Sequence, residues 1–112
     1  MGNLYRFVEP LILLDLARHP ASSGYDILQS IEGNTLTGTT IDKAAVYRTL
    51  GTLEANEMVT SEWTDSVRGA GRKAYRLTGK GLEHLDEWAQ VLAELSKGLA
   101  EYGRDVKAVR KD

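Results

Sequence analysis

The sequence predicts a mainly α-helical fold with a small β-hairpin and one long helix at the C-terminal end. Three segments with the apolar spacing of helices come first, between residues 9 and 56. Two segments with alternating apolar residues follow, separated by a turn that contains glycines. The last third of the chain then repeats apolar residues every three or four positions. Three helices and a hairpin form a winged helix-turn-helix, so we expect this domain in residues 1–78 and the long helix in residues 79–112.

The composition is that of one soluble globular domain. At 112 residues the chain can bury a core of its own, and its apolar fraction of 42% and charged fraction of 27% are ordinary for such a domain. The longest apolar stretch, PLILLDLA, is too short to span a bilayer, and the N-terminus lacks the pattern of a signal peptide. We therefore expect a cytoplasmic protein with no membrane partner. The absence of cysteine excludes disulfides and thiol catalysis.

The first helix is expected to begin near Glu9, because a proline at the next position favours the first turn of a helix. It is expected to end near Arg18, since the pair His19-Pro20 disfavours a helical backbone. The simplest role for His19 is this helix stop. The apolar residues ahead of the helix are not typical of a free tail, so we expect segment 1–8 to pack on this subunit or on a neighbouring one.

The second helix is expected to begin after Ser22 or Ser23, either of which can cap it. Asp26 stands where a capping box has its acidic residue, which strengthens this start. Gly33 is expected to end the helix, and a polar loop follows it.

The third helix is the element around which the chain is organised. Asp42 or Thr40 can cap its first turn, and Val46, Leu50 and Leu53 then fall on one buried face. A small, basic and aromatic outer face suits the DNA major groove, because short side chains let the backbone approach base edges. Taken alone, the same face is also compatible with an ordinary surface helix. The outer face carries Lys43, Tyr47, Arg48 and Thr52.

The hairpin after the third helix favours DNA binding. Its strands MVTSEW and RKAYRLT enclose the turn TDSVRGAG. The net charge is only −2, but the basic residues are concentrated in and beside this turn, while acidic residues dominate the segment that follows. We therefore expect the hairpin to be a wing whose tip contacts phosphates. The clustered basic residues are Arg68, Arg72, Lys73 and Arg76.

The final helix is expected to begin after Thr78 and to carry a heptad seam. Gly98 and Gly103 each weaken a helix by roughly 1 kcal/mol relative to alanine, so we expect the part beyond Gly103 to fray or bend. The seam can pack on its own domain or on a second subunit, and its coiled-coil spacing favours the second subunit. The expected dimer interface consists of Leu4, Phe7, Leu85, Trp88, Leu92, Leu95 and Leu99.

An enzyme is disfavoured by the residues present. The histidines are His19 and His84, which lie in different predicted helices, and we interpret His84 as a solvated position beside the seam. The sequence has no metal-ligand spacing, no catalytic carboxylate pair and no glycine loop before a helix. We therefore expect no catalytic residues, no cofactor and no metal.

Three stretches resemble the PadR family of winged-helix transcriptional regulators: SSGYDILQSI, AAVYRTLGTLEANEMVTSEW and GRKAYRLTGKGLEHLDEW. The resemblance extends from about Leu11 to Trp88 and rests on the order of the motifs. It implies a homodimer held by the C-terminal helices, with help from the N-terminal segment. It also implies a sequence-specific regulator of double-stranded DNA that acts, as many members do, as a repressor on a pseudo-palindromic operator. In the short-tailed branch the dimer can enclose an apolar cavity for flat aromatic compounds.

Carried over by position, the resemblance assigns site residues. For the effector it implies Trp88 and Leu92, although Trp88 can equally be bulk in a dimer core. The family often has proline where this chain has Arg48, and usually glycine where it has Glu57. We expect Asn56 to take the left-handed turn that such a glycine would adopt. The implied DNA contacts are Tyr25, Thr40, Lys43, Ala44, Tyr47, Arg48, Thr49, Arg68, Arg72 and Lys73.

One alternative from a different class stays open. A winged helix can serve only as a protein-interaction module, without binding DNA. The basic wing distinguishes the two hypotheses, because an interaction module does not need Arg68, Arg72 and Lys73 beside a glycine turn.

Overall fold

The computed structural model of the chain describes residues 7–33, 40–64 and 71–110. The mainly helical fold, the hairpin and the long C-terminal helix are confirmed, and one additional short strand precedes the second helix. Leu4, Arg68 and most of the polar loop that follows the second helix lie outside the described residues. The elements are α1 (Val8–Arg18), β1 (Ser22–Ser23), α2 (Gly24–Ile31), α3 (Lys43–Ala55), β2 (Val59–Thr64), β3 (Arg72–Leu77) and α4 (Gly79–Val109).

Side-chain caps determine where three of the helices begin. The Ser23 hydroxyl accepts a hydrogen bond from the Asp26 amide at 3.1 Å, and the Ser23 amide donates to the Asp26 carboxylate at 3.2 Å. This reciprocal pair is a capping box, which satisfies amides that the first turn leaves without partners. Asp42 caps α3 and Thr78 caps α4 without the reciprocal bond, each with one side-chain oxygen that accepts from a backbone amide.

The sheet is antiparallel and has the strand order β1-β3-β2. The hairpin pairs Val59 with Leu77 at its base and Thr64 with Arg72 near its tip. On the other side of β3, Ser22 pairs with Tyr75. Because β1 leads directly into α2, this pairing fastens the start of α2 beside the wing.

The core lies between the first three helices and the base of the hairpin. The predicted buried face of α3 is confirmed, and residues from α1, α2 and β2 close around it. The largest fully buried side chains are Ile12, Leu13, Leu16, Ile27, Val46, Leu50, Leu53 and Val59.

The turn from α3 into β2 corrects one prediction. Asn56 has a φ of −94°, whereas Glu57 has a φ of 63° and therefore takes the left-handed conformation itself. The Glu57 amide donates to the Glu54 carbonyl at 3.0 Å, and the Met58 amide donates to the Leu53 carbonyl at 2.9 Å. These two bonds form a Schellman motif, which requires the left-handed residue immediately after the cap residue Asn56.

Helix α4 continues through Gly98 and Gly103 to Val109, so the expected fraying beyond Gly103 is wrong. Its 31 residues correspond to a length of about 46 Å. The longest dimension of the molecule is 68 Å, against 27 and 21 Å in the other directions. Within the described ranges, none of the helices has the length and hydropathy needed to cross a membrane.

Candidate nucleic-acid interface

A hollow of about 510 Å³ opens between the start of α2, the exposed side of α3 and the wing. The strand pairing described above brings these three parts together, because β1 and β2 flank β3 from opposite sides. We call it the wing hollow. It is lined by Ser23, Gly24, Tyr25, Asp26, Tyr47, Trp63, Gly71, Arg72, Lys73 and Tyr75.

Helix α3 presents four of its own five predicted DNA-contact residues to solvent. Tyr47 is 41% exposed and Tyr25, at the start of α2, is 63% exposed. Gly24 allows the two helices to approach here, because a Cβ at that position would lie 2.4 Å from the Tyr47 ring. Thr49 is half-buried. The other α3 candidates, Lys43, Ala44 and Arg48, are exposed. Thr40, which lies ahead of the helix, is exposed as well.

The two described basic candidates on the wing both form ion pairs with carboxylates. The Arg72 guanidinium pairs with the Asp26 carboxylate at the start of α2. The Lys73 ammonium lies 3.5 Å from a carboxylate oxygen of Glu54 in α3 and 5.6 Å from the centre of the Tyr75 ring. The wing cations are therefore tied to both helices of the helix-turn-helix. The third candidate, Arg68, lies outside the described residues.

Trp63 also lines the wing hollow, although it was not among the predicted DNA-binding residues. It is 71% exposed, and its register partner across the hairpin is Lys73. The alternation of β2 places it on the same face as buried Val59, but the strand extends beyond the core. A Cβ at Gly71 would lie 3.1 Å from the indole, so the missing side chain makes room for the ring. An aromatic residue at the tip end of a short hairpin was the signal that could have identified it.

A second hollow, which we call the α1–α4 groove, has a volume of about 290 Å³. Trp88 lines it and donates from its indole nitrogen to the Glu9 carboxylate at 2.9 Å. Phe7 packs edge-on against the same indole, with ring centres 6.2 Å apart. The predicted effector residues Trp88 and Leu92 therefore lie in one apolar groove. Its lining is Pro10, Leu11, Leu14, Leu85, Asp86, Trp88, Ala89 and Leu92.

His84 is not the solvated position that the sequence suggested. Its side chain is 25% exposed, its Nε2 contacts Glu9, and its Nδ1 lies 3.6 Å from the Glu87 carboxylate. Glu9 thus joins α1 to two residues of α4, at separations of 75 and 79 positions along the chain. The described residues contain no group of three or more histidine or acidic side chains placed to hold a metal ion.

The predicted interface residues of α4 divide into two groups along the helix. Leu85 and Trp88 are partly buried and pack against the core of their own chain. Leu95 is 39% exposed and Leu99 is 62% exposed. The first part of the seam therefore has a partner within the chain, while the part beyond Leu92 projects its apolar side chains into solvent.

Comparison with known proteins gives a consistent result. Residues 12–87 match the model of the transcriptional regulator PadR-like family. A protein from Lysinibacillus sphaericus called uncharacterized protein X is 33% identical over 84 residues, which cover 71% of this chain and 77% of that protein. The solved structure of a PadR-like transcriptional regulator from Bacillus cereus is 23% identical, with a TM-score of 0.72 over 90% of this chain and 95% of that one.

A second solved structure, that of a transcriptional regulator from Clostridium thermocellum, is 22% identical. Its TM-score is 0.78, over 90% of this chain and 95% of that one. At this level of identity the two solved structures support the fold, while the family match covers most of the chain, from α1 into α4. The chain belongs to the PadR-like family of transcriptional regulators.

Proposed function

We propose that this chain is a sequence-specific DNA-binding repressor that acts as a homodimer. The observation that carries the proposal is the wing hollow, where the start of α2, Tyr47 from the exposed face of α3 and the basic strand of the wing share one concave surface. The concentration of exposed aromatic and basic side chains there matches what a duplex requires, because aromatic rings contact sugars and bases while cations contact phosphates.

The elements take different roles in this proposal. Helix α3 enters the major groove, where Lys43 and Arg48 reach base edges and so determine sequence preference. Arg72 and Lys73 contact phosphates, which position the protein on the duplex but carry no sequence information. Residues 1–78 form the DNA-binding domain, and residues 79–112 hold two such domains together.

Fluorescence anisotropy with duplexes from the region upstream of the gene tests the proposal. We expect tight binding to a pseudo-palindromic site, weaker binding to unrelated duplexes, and a steep loss of affinity with salt because bound cations displace counterions from DNA. Replacing Arg72 and Lys73 with glutamine should weaken binding to every duplex alike. Replacing Lys43 or Arg48 with alanine should also change sequence preference.

The control variant replaces Lys97 and Lys107 of α4 with glutamine, which removes the same charge far from the wing. It should bind nearly as well as the wild-type protein. Equal affinity for all duplexes without salt dependence would contradict the proposal, and absence of binding would favour the protein-interaction module. A reporter gene placed behind the bound site should lose expression when the chain is present; increased expression would indicate an activator.

A second candidate function is binding of a planar aromatic effector in the α1–α4 groove. The groove is apolar, the Trp88 indole lines it, and Glu9 and Asp86 supply negative charge at or beside it. An indole face attracts a cation by about 0.5–2 kcal/mol, so an aromatic cation fits this groove better than a neutral ring. Binding would shift the dimer between two arrangements only if the ligand prefers one of them.

Tryptophan fluorescence tests the effector proposal in a Trp63→Phe background, in which Trp88 is the remaining tryptophan. Titration with a planar aromatic cation that does not itself bind the free duplex should quench Trp88 and change the affinity for the DNA site. A neutral planar dye of similar size should act more weakly, and a Leu92→Ala variant should reduce both responses. If a panel of aromatic cations changes neither signal, Trp88 serves only as packing bulk.

A further inference from the structure

The cations of the wing hollow are already paired with carboxylates before any DNA is present. Both described basic residues that line it, Arg72 and Lys73, have a carboxylate partner, and those partners belong to α2 and α3 rather than to the wing. A phosphate oxygen and a carboxylate oxygen are acceptors of the same kind for a guanidinium or an ammonium group. A duplex in the hollow therefore meets groups that are already bound to equivalent acceptors.

Each of the two carboxylates is held in place by a second hydrogen bond. Asp26 accepts from the Ser23 amide in the capping box of α2, at 3.2 Å. Glu54 accepts from the Ser61 hydroxyl of β2 at 2.5 Å. If Arg72 moves to a phosphate, Asp26 consequently stays in place. Glu54 likewise stays in place if Lys73 moves to a phosphate.

Arg72 and Lys73 carry their charges on long, partly exposed side chains. The Arg72 side chain is 50% exposed, so it can leave its partner without disturbing the core. Long basic side chains in such exposed pairs exchange partners at little cost, because the net strength of a surface ion pair is small. The fixed carboxylates would then lie within one Debye length, roughly 10 Å at 0.1 M salt, of the phosphates that replace them.

We propose that Asp26 and Glu54 compete with DNA phosphates for Arg72 and Lys73 and thereby limit the affinity of the chain for any duplex. This inference rests on the proposed DNA-binding function. The two acids withhold the cations in the free protein, and they repel the phosphates in the complex. Because phosphates carry no sequence information, the competition lowers affinity for the preferred site and for unrelated DNA by the same factor.

Two isosteric substitutions test the competition. Asp26→Asn keeps an oxygen that accepts the Ser23 amide, and Glu54→Gln keeps one that accepts the Ser61 hydroxyl, so both local structures are retained. Each variant should bind the preferred site and an unrelated duplex more tightly, by up to about fivefold, which corresponds to the strength of one exposed ion pair. Thermal unfolding of each variant checks that the fold is unchanged.

A matched control and a double-mutant cycle separate direct competition from a general change in charge. Glu62→Gln removes one negative charge from an exposed residue of β2, next to Ser61 in sequence, and should tighten binding less than either test variant. In an Arg72→Gln background, Asp26→Asn should tighten binding less than it does in the wild-type chain, because no cation is left to release and only the repulsion of phosphates is relieved.

The outcomes distinguish this inference from the function on which it rests. If the wild-type chain binds a preferred site but Asp26→Asn and Glu54→Gln bind no tighter than Glu62→Gln, only the competition is overturned. Weaker binding by the variants also overturns it and makes the two acids positioning residues for the cations. If neither the wild-type chain nor any variant binds a duplex, both proposals are overturned.

Discussion

At the scale of single residues, Glu57 is unusual because a non-glycine side chain occupies a left-handed backbone. Its φ of 63° places the Cβ close to its own carbonyl oxygen, at a cost of roughly 1–2 kcal/mol. The Schellman bonds at the end of α3 require that conformation, and the Glu57 carbonyl also accepts a hydrogen bond of 2.7 Å from the Thr78 hydroxyl. Packing of the turn therefore offsets local strain.

Replacing Glu57 with glycine should stabilise the protein. Glycine removes the left-handed strain but gives the unfolded chain more freedom, so we expect a net gain of about 0.5–1 kcal/mol in the free energy of unfolding. Urea denaturation measures it. The matched control is Asn56→Gly, one position earlier, where φ is −94° and there is no strain to relieve. That control should lose stability, and a Glu57→Gly variant that loses as much would refute the strain argument.

Residue-scale features were predictable where their cause is local. Ser23, Asp42 and Thr78 act within three residues of their own positions, so the sequence alone identifies them as candidate caps. The Glu9–Trp88 hydrogen bond joins residues 79 positions apart, and no local pattern indicates it. The same reason explains why the partner of Arg72 was not predicted, because sheet pairing decides which acid lies opposite the wing.

At the scale of elements, the start of α4 is fastened to the turn between α3 and β2. The Thr78 amide donates to the Met58 carbonyl at 3.0 Å, in addition to the cap that its hydroxyl provides. Gly81 then passes so close that a Cβ there would lie 2.1 Å from the Met58 carbonyl oxygen. That contact is with backbone, which cannot move aside as a flexible side chain would.

Replacing Gly81 with alanine should therefore destabilise the protein by about 1–3 kcal/mol, the usual cost of inserting a methyl group into a packed site. Thermal unfolding monitored by circular dichroism measures the change. Gly79→Ala is the control, because it lies in the same first turn of α4 and a Cβ there meets no atom within 4 Å. We expect the control to be as stable as the wild-type protein or slightly more stable. Similar losses in both variants would contradict a specific role of the Met58 contact, because helix propensity by itself favours alanine over glycine.

Elements differed in how well the sequence predicted them. The four helices and the hairpin carry periodic apolar residues, three of the helices also carry caps, and each element was identified to within a few residues. Strand β1 has only Ser22 and Ser23, which is too short for any alternation to be visible. Its existence depends on Tyr75 and Ala74 of β3 lying alongside, which is a tertiary effect.

At the scale of the whole molecule, the exposed end of α4 is the feature that a single subunit leaves unexplained. Apolar side chains continue at seam positions after the helix has left the core, and Tyr102 is still 69% exposed. Such a stripe is typical of a surface that a second helix covers, which supports the proposed homodimer. Leu85 and Trp88 pack on their own domain, so packing within the chain applies to the first part of the helix, and packing on a second subunit stays a prediction for the part beyond Leu92.

Charged substitutions on this stripe should separate the proposed dimer without unfolding the domain. We expect a variant with Leu95→Lys and Leu99→Lys to be monomeric by light scattering, because two buried leucines per subunit would each contribute roughly 1.5–3 kcal/mol to association. Its DNA affinity should fall as well, since one subunit reads one half-site.

The control for this variant carries Gln90→Lys and Ala93→Lys, which add the same charge away from the seam. It should remain a dimer. A stable dimer of the Leu95→Lys, Leu99→Lys variant would show that another surface holds the subunits together. Removal of everything after Thr78 is a harsher test, and it should leave either monomers or an unfolded chain because Leu85 and Trp88 are lost too.

The uninterrupted course of α4 through its two glycines has a mechanical consequence. About 31 Å of helix separates Trp88 from Val109, and a rigid arm of that length moves its far end by about 5 Å for each 10° of tilt at the near end. Successive bases on one DNA strand are spaced by roughly 3.4 Å. A ligand that tilted α4 by 10° beside Glu9 would therefore move the far end of the helix by more than one base-pair step.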